Sequence, residues 1–212
     1  WRIDLTKHLD YGTANTIALF DTNAARVRAE VLDINHGTQF TPACRIEGSD
    51  DISVTANSDL VVVTAGAKQK PGQSRLDLAA ANVAITQSVT PRLLAESPDA
   101  VILFVSNPVD IVTAAAIAVT GVDDGRIFGS GTVLDSGRLR YLIAERAGVA
   151  IENTHAFIVG EHGDSELALW SGASVGGIPI DSYTVDDRVV FDARTRADIF
   201  HEVVRSAYEI IQ

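Results

Sequence analysis

Two apolar, β-branched runs, Asp59-Leu-Val-Val-Val-Thr64 and Ala100-Val-Ile-Leu-Phe-Val-Ser106, most restrict what this chain can fold into. Neither alternates with polar residues, so each predicts a strand buried on both faces, as in a parallel sheet covered by helices. Residues 16–21 predict a third such strand, ending in the acid Asp21. A helix over about residues 23–34 follows, with Asn35-His36-Gly37 expected as its C-cap. A further helix starts near Arg75, and Pro91 is expected to kink or break it. The run ending at Ser106 passes through Asn107-Pro108 into a helix over residues 109–119, then a short strand at 126–128 and a helix over 134–147 closed by Gly148. Strands alternating with helices in this way predict an α/β fold built on a mostly parallel, doubly wound sheet. The final segment is an amphipathic helix with Ile199, Val203, Ala207 and Ile210 on one stripe.

With 212 residues, 46% of them hydrophobic, the chain can bury the cores of one or two domains. No apolar run approaches the roughly 18 residues of a membrane span. The opening Trp1-Arg-Ile-Asp has no basic-then-apolar leader pattern. Cys44 is the single cysteine, which excludes an internal disulfide and fits a reducing, cytoplasmic setting. A net charge of −11 repels phosphate backbones and argues against nucleic acid as a partner. There is no methionine, and the last helical pattern runs to Gln212 without a stop signal, which predicts an internal piece of a longer protein.

The chemistry-bearing stretch is Phe157-Ile-Val-Gly-Glu-His-Gly-Asp-Ser-Glu166, where an apolar run stops at Gly160 and a polar turn follows. His162 in that turn is suited to proton exchange near neutrality, though it could simply end a strand. Asp135 and Arg138 lie three apart and share a helix face, where an intrahelical ion pair is the simplest reading. Arg140 is about 200° round from Arg138 and must point elsewhere. Asp21 could cap the next helix, or accept hydrogen bonds from the ribose of a dinucleotide. Ala65-Gly66-Ala67 is small enough to let a ligand approach the backbone. The Pro- and Gly-punctuated loop Lys68-Gln-Lys-Pro-Gly-Gln-Ser74 has the composition of a lid.

Four segments occur together in a recognisable order: Ala65-Gly-Ala-Lys-Gln-Lys-Pro-Gly-Gln-Ser-Arg75, Ser106-Asn-Pro-Val-Asp110, Leu134-Asp-Ser-Gly-Arg-Leu-Arg140 and Gly160-Glu-His-Gly-Asp-Ser165. In order and spacing they resemble the L-lactate/L-malate dehydrogenase family, over about residues 16–212, and most resemble its bacterial lactate-type members. The resemblance implies a Rossmann-like NAD-binding domain over residues 1–125, followed by part of the α+β substrate domain over 126–212. Residues 1–16 contain only Gly12, so the first strand and the G-x-G-x-x-G turn that holds the cofactor pyrophosphate are missing or degenerate. The family's C-terminal portion beyond the last helix is absent as well.

The resemblance assigns roles that chemistry supports. His162 would exchange the substrate proton, Asp135 would orient the imidazole and stabilise its charged form, and Arg138 would grip the substrate carboxylate bidentately. Arg75 would polarise the carbonyl and Asn107 would help orient the substrate. Gln69 stands where malate dehydrogenases have an arginine for a second carboxylate, so pyruvate is expected over oxaloacetate, although Lys68 and Lys70 flank it. Cofactor contacts carried over by position are Asp21, Arg26, Gly66, Ala67, Ser88, Ser106 and Ser130. Arg140 and His155 match the fructose 1,6-bisphosphate site of allosteric bacterial members, which implies a homotetramer. Alternative readings are a malate dehydrogenase of the same fold, or a non-catalytic remnant. No metal is expected.

Overall fold

The computed structural model describes residues 12–67 and 75–211, and their side chains except those of 75–77 and 207–211. The chain divides into two compact units, Trp1–Gly129 and Ser130–Gln212. The division falls just after the short strand expected to open the second domain, because that strand pairs with the first unit's sheet.

The first unit alternates strand and helix: β1 (Thr16–Phe20), α1 (Ala24–Gly37), β2 (Arg45–Ser49), β3 (Leu60–Val63), α2 (Arg75–Glu96), β4 (Val101–Phe104), α3 (Val109–Thr120) and β5 (Ile127–Gly129). Every ladder in it is parallel, β1 with β2, and β4 between β3 and β5. These are the two flanks of the 3-2-1-4-5-6 order of Rossmann-like sheets, with β1 to β5 at positions 2 to 6. Position 1 has no counterpart among the described residues. The core forms where Val63, Ile102, Phe104 and Ile127 of the sheet meet Leu93 of α2 and Val109, Val112 and Ala116 of α3.

Four details differ from expectation. β3 is not buried on both faces: Val61 and Val63 face the core, whereas Leu60 and Val62 are 54% and 38% exposed. α2 runs unbroken through Pro91, because Thr86, Thr90 and Leu93 around it are buried and their packing outweighs one lost helical hydrogen bond. α1 continues to Gly37 and is closed by Thr38, whose amide and hydroxyl both donate to the Asn35 carbonyl. His36 is thus an exposed residue of the last turn rather than a cap. The cap at the other end is Asn23, not Asp21: Asn23 Oδ1 accepts from the Arg26 amide at 3.0 Å, and Asp21 Oδ1 accepts from the Asn23 amide at 2.9 Å.

The second unit opens with α4 (Val133–Ala147), closed by Gly148 at φ 67° in the left-handed region. Two-residue strands follow: β6 (Thr154–His155), β7 (Ile158–Val159), β8 (Leu167–Ala168), β9 (Ser174–Val175), β10 (Ile178–Pro179), β11 (Thr184–Val185) and β12 (Arg188–Val189). They pair antiparallel as β6-β9-β10, β7-β8 and β11-β12. Gly176-Gly177 turns β9 into β10 with both residues at positive φ, the geometry of a tight two-residue hairpin. α5 (Ala193–Ile211) completes the unit. Leu139 and Ile143 of α4 pack with Ile199 and Val203 of α5, Ile158 of β7 and Phe191 in a second core. The outer half of the predicted stripe, Ala207 and Ile210, falls among the undescribed side chains.

Candidate active site

α4 and the β7–β8 hairpin build the centre of the site. Asp135 sits in the first turn of α4, with its side chain only 3% exposed. Its Oδ1 accepts from the Arg138 guanidinium at 2.9 Å, and its Oδ2 lies 2.5 Å from His162 Nδ1. The ion pair expected on helical grounds is therefore present, and the same carboxylate also holds the histidine. His162 reaches it because Gly160, at φ +96°, turns the chain out of β7 in a conformation that suits glycine.

The two elements are tied together by hydroxyl groups. Thr132, the residue preceding α4, donates through Oγ1 to the Ile158 carbonyl at 2.7 Å. Ser136 Oγ accepts from the Ile158 amide at 2.9 Å. Both backbone groups of the first β7 residue are thus held by side chains at the start of α4, which registers the hairpin against the helix.

Burial alone would push the Asp135 carboxyl up, but the hydrogen bonds and charges of His162 and Arg138 outweigh it and hold its pKa below the ordinary carboxylate value. Glu166 behaves oppositely. It is 6% exposed and lies close to the Asp135 carboxyl. Burial first, then the charge of Asp135, push it up to about 7. One ligand atom from each of Asp135, His162 and Glu166 fits within a 4.8 Å cluster. Glu166 closes the stretch singled out in the sequence, but nothing there assigned it a role. Its proximity to the motif was the signal available.

Arg140, expected to point elsewhere, lies against residues 156 and 157. Its Nε donates to the Ala156 carbonyl at 2.8 Å, and its guanidinium lies 4.6 Å from the Phe157 ring centroid. His155, exposed, immediately precedes Ala156.

In the first unit, four of the expected cofactor residues, Asp21, Gly66, Ala67 and Ser106, follow the C-terminal ends of strands, whereas Arg26 and Ser88 lie on helices. Asp21 follows β1 and lies 3.7 Å from Arg26. Ala65, Gly66 and Ala67 follow β3, and Ser106 and Asn107 follow β4. Ser106 Oγ donates to the Ala65 carbonyl at 2.6 Å. Asn82 joins the two loops, a residue no motif singled out. Its Oδ1 accepts from the Ala67 amide and its Nδ2 donates to the Asn107 carbonyl, each at 2.7 Å. A lone asparagine inside an apolar helix pattern was its only trace in sequence. Ser88 is exposed on α2, and Ser130 opens the second unit, where its carbonyl accepts from the Val133 amide. Lys68, Gln69 and Lys70, with the rest of the lid loop, lie outside the described residues, as does the Arg75 side chain.

Residues 5–129 match the family described as lactate/malate dehydrogenase, NAD binding domain, and residues 132–212 match lactate/malate dehydrogenase, alpha/beta C-terminal domain. The chain belongs to the lactate/malate dehydrogenase family. Among family members it is 51% identical over 201 residues to an L-lactate dehydrogenase of Bifidobacterium animalis subsp. lactis, covering 94% of this chain and 63% of that one. An L-lactate dehydrogenase of Synechococcus sp. is 44% identical over 200 residues, covering 94% and 64%. The crystal structure of a minor L-lactate dehydrogenase from Enterococcus mundtii superposes with a TM-score of 0.91 at 36% identity, over 98% of this chain and 66% of that one. The chain thus spans just under two thirds of the length of these family relatives.

Proposed function

We propose that this chain carries the acid/base and substrate-binding residues of an NAD-dependent L-lactate dehydrogenase, interconverting pyruvate and L-lactate. The observation that carries the proposal is the buried Asp135 carboxylate, which holds a histidine with one oxygen and an arginine with the other. With Nδ1 committed to Asp135, Nε2 of His162 is the nitrogen that gives its proton to the ketone oxygen, or takes it back from the alcohol. The negative charge of Asp135 stabilises the imidazolium. Arg138 offers a planar fork to the substrate carboxylate while its other edge stays on Asp135. Asn107 and Arg75 would orient and polarise the carbonyl, and Gln69 would favour the monocarboxylate substrate.

NAD supplies the hydride. Residues of this chain suit it. Asp21 is a half-buried acceptor at a strand end, where ribose hydroxyls are bound in such folds. Gly66 and Ala67, with Ser106, form a backbone surface that Asn82 holds in place. Arg26, Ser88 and Ser130 would complete the contacts.

The L-lactate dehydrogenases among the relatives support pyruvate as the substrate. We extend the proposal to a cytoplasmic homotetramer serving the end step of fermentative glycolysis, with fructose 1,6-bisphosphate as effector. The hydrogen bond from Arg140 to the carbonyl of Ala156, the neighbour of His155, supports an effector site there. Among the described residues no helix is long and apolar enough to cross a membrane. The test is NADH oxidation with pyruvate and with oxaloacetate, each with and without the sugar phosphate. Turnover of pyruvate that His162→Ala abolishes supports the reading. Preference for oxaloacetate, or turnover that survives the substitution, overturns it.

A further inference from the structure

Two buried carboxyl groups lie close together inside the second unit, and like charges so placed favour keeping one of them protonated. Asp135 already uses one oxygen for Arg138 and the other for His162. Glu166, on the far side of the hairpin loop that carries His162, brings a carboxyl oxygen within 4.8 Å of both the Asp135 carboxylate and the His162 ring. Both acids are buried, and two bare carboxylates this close repel each other and have only lone pairs to offer. One of them therefore keeps a proton. The partners decide which: Asp135 holds the Arg138 guanidinium with one oxygen and the His162 imidazole with the other, and both contacts favour its charged form.

We infer that Glu166 is a positioning residue for the acid/base pair: its buried carboxyl carries a proton that it donates to Asp135, while Asp135 keeps its negative charge toward His162 and Arg138. This deepens the role proposed above for His162. Among the described residues, the charged groups around Glu166 are Asp135 and Arg138 on α4 and His162 on its own hairpin. When Glu166 gives up its proton, the donor to Asp135 is lost and a second negative charge faces the imidazolium. The protonation of His162 is thereby linked to that of Glu166. In the direction of ketone reduction, which needs the charged imidazole, this link extends the working range to higher pH.

The test reads the two groups directly and does not depend on turnover. In the full chain with glutamate carboxyl carbons labelled, Glu166 and the His162 imidazole are titrated by NMR from about pH 5 to about pH 9. The Glu166→Gln variant assigns the carbon and repeats the His162 curve. Expected are a Glu166 carboxyl that titrates near neutrality and a His162 curve that inflects at the same pH. In E166Q that inflection is lost and His162 gives up its proton on the order of one pH unit earlier. A chain without activity that still shows this coupling leaves the inference standing and the dehydrogenase reading failed. Titration of Glu166 in the ordinary carboxyl range overturns the inference, and needs no variant to be seen. A His162 curve unchanged in E166Q overturns it equally, whatever the turnover.

Discussion

Oδ2 of Asp135 lies 2.5 Å from Nδ1 of His162, although 27 positions separate the two residues in sequence. The carboxylate is buried and the imidazole is partly exposed, so the pair runs from a protected end toward the surface. That polarity makes the following outcomes measurable.

Replacing His162 with asparagine removes the proton donor and keeps a polar group in the turn. A fall in kcat of on the order of a thousandfold is expected. Arg138→Lys keeps the charge but not the fork, so KM for pyruvate should rise at least about tenfold, with a smaller change in kcat. Steady-state kinetics on the two variants separate the roles, and equal effects on both constants would contradict the assignment.

Asp135→Asn should lower stability by about 2 kcal/mol at neutral pH, since it leaves the half-buried Arg138 cation beside an amide. The sign with pH follows from its depressed carboxyl. A folded pKa below the unfolded value means that the ionised group contributes stability above the ordinary carboxylate range and loses it as pH falls through the folded pKa. Urea denaturation of wild type and variant should therefore show a gap that narrows below about pH 4.

Glu166 has the opposite sign. Its carboxyl is raised to about 7, so the folded chain binds more protons than the unfolded one between the two pKa values. Stability falls as pH rises through that interval, by roughly 3 kcal/mol at most, and stays level above it. Glu166→Gln cannot ionise. Thermal melts should show it close to wild type near pH 5 and more stable than wild type near pH 8.

Asn82→Ala takes away both hydrogen bonds that hold residues 65–67 against residue 107. A loss of about 2 kcal/mol is expected, because the site is buried and leaves unpaired backbone groups. NADH affinity, followed by fluorescence, should weaken as well, whereas the Asp135–His162 contact in the other unit should keep its NMR signature.

The parts of this architecture legible in sequence were those with dense local signals. The runs at 60–63 and 101–104 announce strands because β-branched residues repeat without interruption. The Gly160–Ser165 and Leu134–Arg140 segments announce a site because glycine, histidine and charge coincide there. β2 was missed: Arg45-Ile-Glu-Gly-Ser49 is polar and contains glycine, and only pairing with β1 makes it a strand. The strands from β6 to β12 are two residues each, too short for any periodicity to register. The exposure of Leu60 and Val62 was hidden for a different reason, since an apolar run states what a strand can bury and not what covers it. Asn82 and Glu166 matter through their contacts, and contacts across 25 or 31 positions leave no mark on the neighbouring letters.

The hydroxyl ties from Thr132 and Ser136 to Ile158 have a consequence for how such a protein changes over generations. They set the spacing of the acid/base pair from the two ends of an intervening stretch, without drawing on the surface residues within it. Arg140 and His155 lie in that stretch. Substitutions at the proposed effector surface there would leave the ties that register Asp135 and His162 in place, so that the proposed control and the proposed proton chemistry are separable traits of one short segment.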